Sequence, residues 1–178
     1  HIIQENGYVY QAPITFYVQK QEWDLAPGFE NGNSARFSRM LNTECISCHN
    51  AMPKLQANSD FKFEKLGRGI DCERCHGPGQ LHVAEREQGM GVDVSKDIDP
   101  TIVNPRKLSW ERQIDLCQRC HLQGLNVLKE GKKFVDFKPG MVLSDIFEIY
   151  LPQYVGDNSQ LDMANHSDRF QRSKCFIE

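Results

Sequence analysis

Six cysteines and three histidines of this chain fall into one five-residue pattern written three times. The copies are Cys45-Ile46-Ser47-Cys48-His49, Cys72-Glu73-Arg74-Cys75-His76 and Cys117-Gln118-Arg119-Cys120-His121. Two thiols three positions apart, followed at once by an imidazole, form the attachment signal of a c-type haem. Each thiol can form a thioether to the porphyrin edge, and the adjacent histidine meets the iron from the same side. Cys45, Cys48, Cys72, Cys75, Cys117 and Cys120 are therefore the expected attachment points. His49, His76 and His121 are the expected proximal ligands, and the cofactors are three covalently bound haem c.

Paired cysteines also build structural zinc sites and disulfide frameworks. Cys48 and Cys72 are separated by 23 residues, beyond the roughly 15 to 20 of a four-cysteine zinc ribbon. A ribbon does not require histidine directly after its second cysteine, yet all three copies have one. An odd number of pairs would also leave the third without a partner.

A haem iron has a second axial position, and its occupant decides function. A protein ligand there gives a six-coordinate iron suited to electron transfer; an open position admits substrate. Three histidines lie outside the motifs: His1, His82 and His166. Three haems and three spare histidines match the ligand set of an all-bis-histidine carrier. His82 follows His76 by six residues, tethered on the proximal side of the second haem, which predicts that it serves a neighbouring haem. The methionines Met40, Met52, Met90, Met141 and Met163 are alternative distal ligands, each first read as a packing residue. Trp23, Trp110 and the ten phenylalanines read as haem packing. Cys175, the seventh cysteine, makes no haem attachment alone and reads as a buried or free thiol, or else as half of an intermolecular disulfide.

A second functional class stays open: a haem oxidoreductase acting on a small nitrogen or sulfur compound at one five-coordinate haem. Arg68, Tyr150 and Asp71 are its candidate acid/base groups. A third is a structural unit of a larger haem chain or filament. The carrier reading makes the chain a non-enzyme whose partners are redox proteins or further haem domains.

The elements that must position these groups are modest. The 178 residues are 39 % apolar with a formal charge of −3, and the mean hydropathy is −0.56. Such a chain makes a lean core, which three macrocycles would supplement. The charge argues against nucleic acid or an anionic membrane surface as partner. No run of 18 apolar residues predicts a transmembrane span. Covalent haem attachment takes place outside the bacterial cytoplasmic membrane, so a periplasmic or cell-surface location is expected. His1 is then the start of a processed or truncated chain, part of a longer one and possible member of an oligomer or larger complex.

The expected fold is mainly α with long irregular connections and a small N-terminal β-hairpin, organised by three covalent haems within a single domain, 1–178. Residues 1–30 are its hairpin and turn segment, 35–124 its haem-attachment region and 125–178 a C-terminal helical region. Tyr8–Gln11 and Ile14–Gln19 read as the hairpin around Ala12-Pro13, and Trp23–Phe29 as a turn. Ser34 reads as the N-cap of a helix running through Phe37, Met40 and Leu41 into the first motif. Phe61 and Phe63 are haem or core contacts. Gly77-Pro78-Gly79 is a tight turn before a short helix from Leu81 to about Gln88. Residues 92–108 form a long loop, expected to wrap a haem. Ser109 caps a helix over Trp110–Leu122. Lys129–Lys132 is a turn between two short strand-like runs, and Ser144 or Asp145 starts a helix through Ile146, Phe147 and Tyr150. A last helix starts at Asp157–Ser159 and runs through Leu161, His166 and Phe170 to Lys174-Cys175.

Three stretches carry a family resemblance. The run from Gly69 through Cys72-Glu73-Arg74-Cys75-His76-Gly77-Pro78-Gly79-Gln80-Leu81-His82 is similar to the CxxCHGPGxxH segment of multihaem cytochromes related to cytochrome c554. Ile102–Ser109 with Cys117–Gly124 resembles the next block of that group, and Asp136–Gly140 with His166–Cys175 continues it. The resemblance spans residues 23 to 178. It implies an exported electron-transfer protein with His82 and His166 as distal ligands. The group includes catalytic members with an open haem, so both functional classes survive it.

Overall fold

A computed structural model describes residues 1–30, 36–121, 124–150 and 166–177. Among them the backbone forms six α-helices, the longest of twelve residues, and four two-stranded antiparallel sheets. The architecture is a small mixed one, richer in strand pairs than a mainly α chain with a single hairpin. Two compact units divide it, His1–Ile70 and Asp71–Glu178. The first motif lies in the former unit and the other two in the latter.

In the first unit β1 (Ile2–Glu5) pairs with β2 (Tyr8–Gln11). The turn between them is Asn6-Gly7, with φ of 51° and 84°, the paired positive φ that a two-residue hairpin turn demands. β3 (Ile14–Tyr17) pairs with β4 (Glu22–Leu25). The expected hairpin between Tyr8–Gln11 and Ile14–Gln19 is thus not formed: each run takes the partner offered by its nearer turn. Trp23 belongs to β4, and the turn begins only at Ala26, whose carbonyl accepts from Phe29 N–H at 3.0 Å.

The helix expected through Phe37, Met40 and Leu41 is absent. Leu41 N–H donates to the Val9 carbonyl at 2.8 Å and Met40 bridges Tyr10, so β2 holds this stretch extended. The Asn31–Ser34 loop with its cap lies outside the described residues. Helix α1 (Thr43–His49) starts later and is capped by Asn42, whose side chain accepts from Cys45 N–H at 3.1 Å. β5 (Lys54–Leu55) and β6 (Phe63–Lys65) pair behind it. The core of this unit is Val9, Ile46 and Phe63, with Leu41, Leu55 and Leu66 against it; Phe61 stays exposed.

In the second unit α2 (Glu73–His76) and α3 (Gln80–Glu87) flank the Gly-Pro-Gly turn. Gly89, with φ of 75°, follows α3. Residues 92–108 are irregular except for one 3-10 turn, Pro105–Lys107. α4 (Trp110–His121) carries the third motif, and its Gln113 N–H reaches the Ser109 carbonyl at 3.0 Å; Leu122, its expected last residue, lies outside the described residues. β7 (Leu125–Leu128) pairs with β8 (Phe147–Tyr150).

The helix expected over Ile146, Phe147 and Tyr150 is therefore a strand after a 3-10 turn, Leu143–Asp145. Phe-Glu-Ile-Tyr alternates a buried or half-buried residue with an exposed one, the period of a strand, in aromatic and β-branched residues suited to it. Phe137, Leu143, Ile146 and Phe147 form the core, with Met141 packed against them. The last helix is two, α5 (His166–Gln171) and α6 (Lys174–Ile177). Its predicted start and Leu161 lie outside the described residues, as does Met163. Among the described residues no helix is long and apolar enough to cross a membrane.

Candidate haem-binding sites

Each motif is delivered by a helix end, and the local packing leaves its sulfurs and imidazole outward. On α1 the buried residues are Thr43, Ile46 and Ser47. Ile46 packs on Val9 and Phe63, while Thr43 N–H and Oγ1 both donate to the Asp60 carbonyl, at 3.1 and 2.6 Å. Residues three and four apart share a helix face, so Cys45, Cys48 and His49 share the other one. Cys45 and His49 are exposed and Cys48 half-buried.

The third motif follows the same logic with a different anchor. Arg119, between its two cysteines, is 9 % exposed. Its guanidinium donates to the Phe134 carbonyl and lies 5.0 Å from the centroid of the Phe147 ring. This turns that side of α4 into the β7–β8 core and leaves Cys117, Cys120 and His121 exposed. α5 packs on α4 and brings the His166 ring to 5.9 Å from the His121 ring, centroid to centroid, with 75° between their planes. Two imidazoles on opposite sides of one iron, each bonded at about 2 Å, place their centroids about 6 Å apart. Trp110 and Phe170 both pack edge-on against Phe176, at 5.2 Å each.

The second motif sits in a more elaborate setting. Cys72 precedes α2, and Gly77 ends it with φ 76° and ψ −176°, a region open essentially to glycine alone. Glu73 Oε1 accepts from Gly79 N–H at 2.7 Å and closes the turn that launches α3 and His82. Cys72, His76 and His82 line two adjoining cavities of about 480 and 640 Å³. Val92, Val94, Ile98, Ile102 and Val103 line the first, so the loop 92–108 does supply an apolar wall beside the motif.

His76 is tied twice to that loop. Its Nδ1 lies 2.9 Å from the Val103 carbonyl, and its own carbonyl accepts from Val103 N–H at 2.9 Å. A carbonyl can only accept, so Nδ1 carries the proton and Nε2 keeps its lone pair for a metal. His82 Nδ1 lies 3.1 Å from Thr101 Oγ1 and 3.2 Å from Asp99 Oδ2. Asp99 is 8 % exposed and is also paired with Arg86. Hydrogen bonds from Thr101, hydroxyl first and N–H second, hold its carboxyl below the usual range, with Arg86 and then His82 adding to the shift against desolvation. Composition reads Asp99 and Thr101 as loop residues, and Val103 enters only as part of the Ile102–Ser109 stretch that carries the family resemblance. A buried aspartate is invisible to composition, and only the Asp-x-Thr spacing hinted at a side-chain turn.

His1 lies in the first unit, its ring stacked on Trp23 at 4.8 Å, and its carbonyl accepts from Ala12 N–H at 2.9 Å. Of the methionines, Met40, Met52 and Met90 are exposed and Met141 packs in the core. Cys175 is an exposed thiol. Phe29, Phe63, Phe137 and Phe147 are buried among protein groups, which removes them from the list of haem-packing aromatics. Among the described residues no three His, Cys, Asp or Glu side chains converge as a metal cage; a haem asks for two axial ligands only, since its own nitrogens supply the rest. The donors fit such a group: outward paired thiols, the imidazoles of His76 and His82 engaged through Nδ1, and apolar walls.

A family model described as cytochrome c554 and c-prime matches residues 20–77, which include the first two motifs. No curated protein and no solved structure matches the chain.

Proposed function

We infer that the chain, related to the cytochrome c554 group by the match over residues 20–77, is a c-type cytochrome with covalent haem c and a role in electron transfer. We propose that it carries three haems, on Cys45/Cys48, Cys72/Cys75 and Cys117/Cys120, with His49, His76 and His121 as proximal ligands. His82, His166 and His1 are the distal candidates, and an exported, periplasmic or cell-surface carrier is the function that results. The observation that carries the reading is the placement of His166 against His121, at the separation that two axial imidazoles of one iron require.

Covalent haem supplies one-electron chemistry; this chain's residues supply geometry and tuning. Thioethers to Cys45/Cys48, Cys72/Cys75 and Cys117/Cys120 would fix each macrocycle to a helix end. The Val103 carbonyl holds His76 in the ligating tautomer, and Val92, Val94 and Ile98 offer apolar surface on one side of the site that a bound haem would cover. With His121 and His166 both as axial ligands, a bound haem would be six-coordinate, and the chain would have little to rearrange on reduction. His82 is assigned to a haem other than the one on Cys72/Cys75.

The oxidised protein should give only low-spin signals in electron paramagnetic resonance. A stoichiometric high-spin haem would overturn the carrier assignment and favour catalysis at an open iron.

A further inference from the structure

We propose that Asp99 and Thr101 are positioning residues for the imidazole of His82, so that the short segment from Asp99 to Val103 orients two axial ligands and gives them unequal donor strength. The inference rests on His82 and His76 being iron ligands. Thr101 Oγ1 donates its one hydrogen to Asp99 Oδ1 at 2.5 Å, so toward His82 it can only accept. Both neighbours of His82 Nδ1 are therefore acceptors. The proton is held on Nδ1 and the Nε2 lone pair is directed away from the segment.

His76 meets the same segment two residues on, but its partner is the neutral Val103 carbonyl. A carboxylate behind an imidazole makes it the more basic ligand, and a more basic ligand favours ferric iron. Asp99 can act in this way because it is fixed: its side chain is 7 % exposed, Thr101 N–H donates to it at 2.9 Å, and Arg86 holds its other oxygen. The haem served by His82 thus has its potential lowered by Asp99, while the haem on His76 receives no such push.

The test is potentiometry of the haem-loaded protein with magnetic resonance to follow individual haems, on Asp99→Asn, Asp99→Glu, Arg86→Gln and His82→Met. His82→Met identifies the haem that His82 serves. In Asp99→Asn that same haem should rise in potential by the equivalent of about a tenfold change in its reduced-to-oxidised ratio, about 59 mV for one electron. Asp99→Glu should recover part of the shift. Arg86→Gln should move it the opposite way, because a cation is lost while the carboxylate stays. If Asp99→Asn leaves the haem altered by His82→Met at its native potential, or if Arg86→Gln raises it equally, the positioning role is wrong although the ligand assignment stands. If His82→Met changes no haem, the ligand assignment itself fails and this inference with it.

Discussion

Replacing Gly77 with alanine isolates one physical term at the junction between His76 and His82, the two histidines proposed as iron ligands. Gly77 joins His76 to the turn before His82, at φ 76° and ψ −176°. A Cβ built there would find its nearest neighbour, Val103 Cγ2, at 3.8 Å, an ordinary contact. The substitution is therefore free of steric clash, and its whole effect is backbone strain, about 1–3 kcal/mol for an L-residue in this region. For a chain of this size each 1 kcal/mol lowers Tm by about 2–4 °C, so the loss is about 2–12 °C if the turn keeps its shape. If the turn relaxes instead, the strain is relieved by moving His82 off Thr101 and Asp99, and a low-spin haem signature shifts. Gly89→Ala is the control: its φ is 75° and nothing lies within 4 Å of its Cβ, so a left-handed penalty of about 1–2 kcal/mol comes without any spectral change. Thermal melts and haem spectra of both variants decide the matter. A Gly77→Ala protein with native Tm and native spectrum would refute the reasoning, as would a Gly89→Ala protein with the same spectral change.

Two further outcomes follow from the third motif. His166→Ala should convert the haem on Cys117/Cys120 to high spin, and added imidazole should restore the low-spin absorption; a haem there that stays low-spin without imidazole would show that His166 is not its ligand. Arg119→Met should destabilise the second unit by about 1–3 kcal/mol, because the half-buried Phe134 carbonyl loses its donor and the Phe147 ring its cation. A urea midpoint unchanged from the native protein would contradict that anchor role.

The chemistry of the chain was more legible in its sequence than its fold. A covalent attachment site is local by construction: Cys45, Cys48 and His49 sit on one face of whichever helix turn they occupy, so spacing alone predicts the arrangement. α3 and α4 were readable for a similar reason, since Gly77-Pro78-Gly79 and Ser109 punctuate them. The pairing of strands was not, because it depends on turns competing for partners. Asn6-Gly7 carried the needed signal for β1–β2, and the alternation of Phe147-Glu148-Ile149-Tyr150 carried it for β8, yet neither predicts where the partner lies. Met40 and Leu41 have helical spacing but are held extended by Val9 and Tyr10, a tertiary override that local propensity cannot show. The contacts behind His76 and His82 were equally hidden. Asp99, Thr101 and Val103 meet these imidazoles only because the loop returns to α2 and α3, and no spacing rule links residue 76 to residue 103.

The central claim is that the three Cys-x-x-Cys-His copies each bind a haem covalently. The intact mass of the haem-loaded protein tests it directly, read together with three variants in which one cysteine pair at a time is replaced by alanine. The native protein should carry three haem additions, and each variant should lose one and keep two. A native mass with fewer than three additions, or a cysteine pair whose removal leaves the haem count unchanged, would contradict the account.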